Sequence, residues 1–327
     1  MGLNHNGDLR RAHEMVDVAA AAGVDGVKFQ NFLTEDFISD RSLTYEYVSA
    51  GETVVESQFD MFKRYELPAA AWPELRDHCQ ERDVVFFSTP TDERGLEDLV
   101  RLGSPLLKNG SDYLGHLPLI RAMARTGIPT VLSTGMATLE EMRAAVTAFR
   151  EAGGHDLVLL HCTSSYPTPT EDVNLRRIPA LAGEFGCPTG LSDHTDGFIA
   201  AAGSVALGGC MVEKHFTLDR NLPGPDHRFS AGPEEMSALV EAVRTMEASL
   251  GSTQIAPAPS EMLGRSEFRL SCVAAADLSA GHELAPEDIE FRRPGTGVPP
   301  GEVGRLIGRR LARDVSRGDV FTAEMSE

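Results

Sequence analysis

Apolar residues along this chain follow two alternating patterns. Short apolar runs that end in polar residues are typical of buried strands, and between them apolar residues recur at the spacing of a helix that faces a core. The runs predict strands at 24–30, 84–90, 105–111, 130–135, 156–161, 188–192 and 211–216. The helical spacing predicts helices at 8–22, 69–82, 92–102, 117–126, 138–151, 174–185, 198–207 and 234–249.

The alternation of strands with helices predicts an α/β fold. Seven such strands favour a (β/α)₈ TIM barrel, in which functional groups lie at the carboxyl ends of the strands. Residues 1–7 form a polar, turn-like start directly before the first helix, so the first of eight strands is expected to be truncated. A doubly wound open sheet is the alternative, but no GxGxxG motif follows an early strand, which argues against a dinucleotide site.

A change of composition near residue 250 divides the chain. Residues 1–250 carry the barrel pattern, and residues 251–266, rich in Pro, Ser and Ala, are expected to form a linker. Residues 267–327 are dense in Gly and Pro, which predicts a small β-rich domain. Within the barrel, residues 31–66 show no clear period, and connections of that length are usually functional.

Composition limits the possible partners. The chain has 327 residues, 42% hydrophobic and 24% charged, as in ordinary soluble globular proteins. Its formal net charge of −19 argues against nucleic acid or an anionic membrane as partner. The five cysteines form no CxxC pair, and the sequence shows neither a bilayer-spanning apolar stretch nor a signal-peptide pattern. A reducing, cytoplasmic location is expected.

Charged and hydroxyl side chains cluster where the predicted strands end. Lys28 and Lys108 end apolar strands, where an unpaired ammonium group would be costly to bury, so a phosphate or carboxylate ligand is expected. Polar groups at the same strand ends would add hydrogen-bond donors, namely Gln30, Thr89, Ser111, Ser133, Thr134, Ser164, Tyr166 and Ser192. The alternative for each hydroxyl is a hydrogen bond to nearby backbone.

Two histidines also end predicted strands. His194 follows Ser192-Asp193, and His215 follows Glu213-Lys214. Two imidazoles with open coordination positions suit a divalent metal that polarises a carbonyl group. The alternative is a pair of core histidines satisfied by backbone partners.

These strand ends belong to a series of short motifs in a fixed order. The motifs are Asn4-His5-Asn6-Gly7, Val27-Lys28-Phe29-Gln30, Ser88-Thr89-Pro90, Lys108 with Gly110-Ser111, Ser133-Thr134-Gly135-Met136, His161-Cys162-Thr163 with Tyr166-Pro167, Leu191-Ser192-Asp193-His194-Thr195, Glu213-Lys214-His215-Phe216 and Gly224-Pro225-Asp226. Over nearly its whole length the chain thereby resembles the sialic acid synthase (N-acetylneuraminate synthase) family. Residues 293–300 resemble that family's C-terminal antifreeze-like (SAF) domain.

The resemblance implies a metal-dependent condensation of phosphoenolpyruvate with an N-acyl amino sugar, usually N-acetylmannosamine, to give a nine-carbon 2-keto acid and phosphate. It implies Mn²⁺ or Mg²⁺ at His194 and His215, with Lys108 and Asp226 completing the catalytic set. The implied phosphoenolpyruvate contacts are Lys28, Thr89, Lys108, Ser111, Ser133, Ser164 and Ser192, and the implied sugar contacts are Gln30, Tyr166, Asp226 and Arg293. Because such enzymes resemble domain-swapped homodimers, Arg293 is expected to reach the acyl group in the site of the partner subunit.

The chain departs from the family pattern at three places. The family carries Ala-Glu-Ile-Gly before its Asn-His motif, but Met1 stands at the isoleucine position, and a misplaced start is the favoured explanation. An acid of the Lys-Ile-Gly-Ser-Gly-Glu/Asp motif is shifted to Asp112, and Ser164 replaces a frequent asparagine. Two alternatives stay open: the same chemistry on a legionaminic, pseudaminic or spore-coat polysaccharide precursor, or a non-catalytic sugar-binding relative.

Overall fold

A computed structural model describes residues 1–325 of the chain. The chain divides into two compact units, Met1–Gly251 and the residues from Ser252 onward. The strands of the first unit are β1 Gly26–Asn31, β2 Thr44–Ser49, β3 Glu52–Ser57, β4 Val85–Pro90, β5 Leu107–Asn109, β6 Thr130–Ser133, β7 Leu157–Cys162, β8 Thr189–Asp193 and β9 Val212–Lys214. Its helices are α1 Leu9–Ala21, α2 Thr34–Phe37, α3 Gln58–Tyr65, α4 Ala71–Glu81, α5 Glu93–Arg101, α6 Leu117–Arg125, α7 Leu139–Glu151, α8 Arg177–Phe185, α9 Ile199–Ala206 and α10 Pro233–Leu250.

A curled, seven-stranded parallel sheet forms the centre of the first unit. Its strand order is β1-β4-β5-β6-β7-β8-β9, and every neighbouring pair is parallel. The end strands β1 and β9 are not paired with each other, and a cavity of about 380 Å³ lies between them, lined also by Met1 and by residues of α10. This arrangement confirms the predicted barrel, and the residues before α1 form turns beside it.

Helix signals in the sequence explain how the helices lie against this sheet. Asp8 caps α1 by accepting hydrogen bonds from two backbone N–H groups, and Thr138 forms a capping box at the start of α7. The apolar face of α1 is fully buried at Ala12, Met15 and Val16. The amphipathic spacing therefore places one face of each helix on the sheet and leaves the carboxyl ends of the strands free for polar groups.

The prediction for residues 31–66 was wrong in one respect. This connection contains an antiparallel hairpin, β2–β3, and two short helices rather than irregular chain. The hairpin turns at Ala50 and Gly51, both with positive φ, which is typical of a tight two-residue turn. The hydrogen bond from Gly224 N to Ser49 Oγ, 2.9 Å long, connects the hairpin to the loop after β9.

The second unit is a small β-rich domain with its own core. Its regular elements are α11 Met262–Glu267, which lies in the predicted linker, and the antiparallel strands β10 Ser271–Ala274 and β11 Ile289–Arg292. The core includes Cys272, Leu311 and Phe321, all nearly fully buried. Among the residues described, no helix has the length and apolar character needed to cross a membrane.

Candidate active site

A partly buried carboxylate, that of Glu213, lies near two lysines at the carboxyl end of the sheet. Lys108, on β5, is only 2% exposed, and its Nζ donates to Ser133 Oγ at 2.7 Å and to the Asn109 carbonyl oxygen at 2.9 Å. Its Nζ also lies 3.8 Å from Glu213 Oε2, and Lys28 Nζ lies 3.9 Å from Glu213 Oε1. The two lysines therefore share one acid on β9.

Glu213 is a site residue that the sequence prediction missed. Burial alone would raise the pKa of this carboxyl, but the neighbouring Lys108 and Lys28 lower it to about 2, so the group is ionised. Ser192 Oγ donates to Glu213 Oε1 at 3.2 Å. The available signal was the position of Glu213 at the end of a strand, where a carboxylate can compensate two lysines from other strands.

The other predicted phosphate-binding groups lie at neighbouring strand ends. Thr89 on β4, a predicted phosphoenolpyruvate contact, is buried, and its register partner on β1 is Gln30, a predicted sugar contact. Ser111 Oγ accepts a hydrogen bond from Gly135 N at 3.0 Å. Thr134 Oγ1 donates to a backbone carbonyl, as the alternative reading of the strand-end hydroxyls expected.

Two further predictions fall at the edge of this group. Ser164 Oγ lies 3.8 Å from Cys162 Sγ. Both atoms lie close to Gly135, as does Ser111 Oγ. Asp112, the shifted acid, lies on an exposed turn at Ser111–Tyr113. Because its side chain is solvated, Asp112 does not replace a buried acid at the sheet.

His194 and His215 lie side by side beyond the ends of β8 and β9, with ring centroids 5.4 Å apart. The Nδ1 of His194 lies 3.0 Å from the Thr163 carbonyl oxygen, to which it donates when protonated, and this orients the Nε2 edge of the ring. Among the described residues, the buried Nδ1 of His215 has no hydrogen-bond partner, and it lies 3.7 Å from Asp226 Oδ2.

Burial sets the protonation states around these rings. It lowers the pKa of His215 well below the ordinary value, with a further contribution from His194, so the His215 imidazole is neutral. Burial raises the pKa of Asp226 to about 6. For His194, burial alone would lower the pKa, but contacts with Cys162 and the Thr163 carbonyl raise it.

The histidine pair has the chemistry of a metal-binding site. Neutral imidazole is the form that binds a metal, and burial keeps His215 neutral, with an Nδ1 that has no hydrogen-bond partner among the described residues. Within residues 1–325, no group of three or more His, Cys, Asp or Glu side chains is arranged to hold a metal. A metal on His194 and His215 would therefore keep positions for other ligands.

Aromatic rings line the same side of the site. The ring of Tyr166 lies 4.3 Å from that of His194 and 5.9 Å from that of His215. Phe229, which the sequence prediction did not select, packs on Tyr166 at 5.0 Å and on His215 at 5.4 Å.

Arg293, a predicted sugar contact, lies in the second unit. Its guanidinium carbon lies 5.3 Å from the centroid of the Phe268 ring in the same unit.

A curled parallel sheet that presents paired lysines and paired imidazoles at its carboxyl end defines an enzyme of the barrel class. Residues 15–255 match the NeuB family and residues 271–326 match the SAF domain. The chain belongs to the NeuB family, and the predicted resemblance is confirmed.

Relatives with named activities cover almost the whole chain. The N,N'-diacetyllegionaminic acid synthase of Legionella pneumophila is 38% identical over 100% of this chain and 93% of its own length. A pseudaminic acid synthase of Campylobacter jejuni is 33% identical over 98% of this chain and 93% of its own length. The crystal structure of the N-acetylneuraminic acid synthetase of Leptospira borgpetersenii, in complex with citrate, matches with a TM-score of 0.72 and 33% identity over 80% of this chain and 87% of that one. The chain is thus an enzyme of the sialic acid synthase type.

Proposed function

We propose that this protein condenses phosphoenolpyruvate with an N-acyl amino sugar, in a metal-dependent reaction, to give a nonulosonic acid and phosphate. One observation carries the proposal. The end of β9 brings Glu213 to two lysines and, two residues later, His215 to His194. An anion site and a carbonyl-activating site therefore meet at one strand end, as a reaction between an enol phosphate and an aldehyde requires.

The lysine side suits the phosphate and carboxylate of phosphoenolpyruvate. Glu213 lies 3.8 and 3.9 Å from the two ammonium nitrogens, too far for a hydrogen bond. It compensates the charge of Lys108 and Lys28 without occupying their N–H groups. Two of the three N–H groups of Lys108 are donated to Ser133 and Asn109, so the third N–H of Lys108 and the ammonium of Lys28 remain for an anion. The two positive charges offset the repulsion between the phosphate and the carboxylate of that anion.

The histidine side suits the open-chain aldehyde of the sugar. When bound to His194 and His215, Mn²⁺ or Mg²⁺ would supply Lewis acidity at the aldehyde oxygen, where negative charge develops as the enol carbon attacks. Asp226 lies beside His215, and its pKa of about 6 lets it hold or release a proton near neutral pH. Water then adds at C2 of the pyruvyl unit, and the tetrahedral intermediate loses phosphate.

The relatives support a diacetylated acceptor as the first candidate. The match to the diacetyllegionaminic acid synthase is 38% identical, against 33% for the pseudaminic acid synthase. N-acetylmannosamine and a spore-coat polysaccharide precursor are the other candidates. We place the reaction in the cytoplasm, since all five cysteines are unpaired. We also propose that the enzyme is a domain-swapped homodimer. In that dimer Arg293 would reach the acyl group of the sugar in the site of the partner subunit.

Phosphate release from phosphoenolpyruvate tests the function directly. The purified protein would be assayed with Mn²⁺ and a panel of N-acyl sugars, with a reaction lacking sugar as control. We expect release that depends on both metal and sugar and is fastest with the natural acceptor. Tight sugar binding without release for any member of the panel would instead support the non-catalytic alternative.

A further inference from the structure

Phe229 is an aromatic group on the histidine side of the site, where it packs against both Tyr166 and His215. It belongs to the short turn His227–Phe229, directly after Asp226, and its side chain is only partly buried. Its ring is tilted by 42° against Tyr166 and stands at 71° to His215. One apolar surface therefore touches both the predicted sugar-binding ring and the predicted metal ligand.

The turn that carries Phe229 is held rigidly from both sides. His227 is 1% exposed, and its ring contacts Thr217 Oγ1 at 2.6 Å and Asn6 Oδ1 at 3.1 Å. Ser230, on the other side of Phe229, is fully buried. Since His227 and Ser230 hold this turn in place, the ring of Phe229 has a defined position before any ligand binds, as a residue that discriminates by size requires.

The proposed function decides which part of an acceptor meets this ring. In a 2-acylamino sugar, the acyl group is attached one carbon away from the aldehyde. An aldehyde at His194 and His215 brings that carbon next to the surface formed by Phe229 and Tyr166. A phenyl ring offers no hydrogen bond, so it selects a neighbouring group by its apolar surface and its length.

Resting on the proposed function, we propose that Phe229 is a specificity-determining residue that limits the length of the acyl chain on the acceptor. Phe229 closes the pocket against chains longer than acetyl, and its loss opens that space. One methylene group in an apolar pocket commonly changes relative kcat/KM by about 10- to 200-fold.

The test compares N-acetyl, N-propanoyl and N-butanoyl forms of the amino sugar that the native protein uses best among the diacetylated acceptor, N-acetylmannosamine and the spore-coat precursor. Three proteins are compared: the native protein, Phe229→Ala and Phe198→Ala. For each one, kcat/KM for the butanoyl sugar is divided by kcat/KM for the acetyl sugar. Phe198, at the start of α9, is 39% exposed and serves as the matched control. We expect Phe229→Ala to raise the ratio about 10-fold or more, with an unchanged KM for phosphoenolpyruvate, and Phe198→Ala to leave it as in the native protein.

Three other outcomes are informative. An unchanged ratio in Phe229→Ala overturns the proposal, because a residue that only supports the fold lowers both values together. If Phe229→Ala does not fold, the same ratio is measured for Phe229→Leu. A raised ratio then supports the proposal, and an unchanged ratio overturns it. If the native protein turns over none of the sugars, the proposed function is contradicted, and the acyl-length role with it. If the native protein is active but the ratio is unchanged in the variant, only the role of Phe229 is contradicted.

Discussion

The lysine side and the histidine side of the site satisfy their buried polar groups in opposite ways. On the lysine side, Glu213 compensates part of the charge of Lys108 and Lys28, and two serines hydrogen-bond to this cluster. On the histidine side, the Nδ1 of His215 is buried without a partner in the described part of the chain, and Asp226 has a raised pKa. The first side is stable before a ligand arrives, and the second is left incomplete for a ligand to complete.

This difference separates stability from activity. Removing the shared acid leaves buried positive charge without compensation, which costs folding free energy. Removing the His215 imidazole costs less stability, because no protein hydrogen bond is lost at its Nδ1 and only its packing on Tyr166 and Phe229 is removed. Substitutions on the two sides should therefore have different signatures.

Glu213→Gln should have the largest effect. We expect a fall in the free energy of unfolding of about 3 kcal/mol, because the buried ammonium group of Lys108 and the partly buried one of Lys28 lose their counter-charge. Urea denaturation measures the change. Lys108→Met is the matched variant, since it leaves Lys28 paired with Glu213 and should cost less stability. If Glu213→Gln is as stable as the native protein, Glu213 does not stabilise the fold through its charge.

His215→Ala should lower turnover by about 10²- to 10³-fold, since it removes one of the two imidazoles at the site of developing charge. Its unfolding free energy should fall less than that of Glu213→Gln. Mn²⁺ binding by titration calorimetry and phosphate release would be measured together, with the exposed His155→Ala as control. Native turnover at saturating Mn²⁺ would disprove the ligand role.

His227 should make stability depend on pH. Burial lowers the pKa of His227 from about 6.5 to about 4. Between pH 4 and pH 6.5, His227 is therefore protonated in the unfolded chain and neutral in the folded chain. The stabilisation is complete above pH 6.5 and is lost as the pH falls to 4, by about 3 kcal/mol at most. Urea denaturation of His227→Gln should show a flatter profile across this range. An unaltered slope would mean that His227 titrates normally.

Arg293→Ala should have the smallest effect. Since the proposed contact is with the sugar, KM for the sugar should rise about 10-fold while KM for phosphoenolpyruvate changes little. Steady-state kinetics with each substrate varied in turn measures both constants. Equal changes in the two constants would indicate a structural role for the residue.

The sequence predicted the chemistry that lies at strand ends better than the chemistry created by packing. Lys28, Lys108, His194 and His215 end recognisable apolar runs, so their convergence followed from the parallel topology alone. Phe229 was missed because it lies in a loop without periodicity, and only the folded loop brings its ring to His215.

The hairpin β2–β3 was missed for a related reason. Its strands alternate weakly, with exposed residues on both faces, so no buried pattern marks them in the sequence. The turn at Ala50 and Gly51 was the one local signal.

Isotope labelling tests the central claim most directly. The protein, phosphoenolpyruvate, Mn²⁺ and an N-acyl sugar would be incubated in ¹⁸O-labelled water, and the phosphate and keto acid analysed by mass spectrometry. Loss of phosphate from a tetrahedral carbon predicts equal amounts of the two products and unlabelled phosphate. Phosphate that carries ¹⁸O, formed without a sugar-derived keto acid, would contradict the account, because water would then have attacked phosphorus.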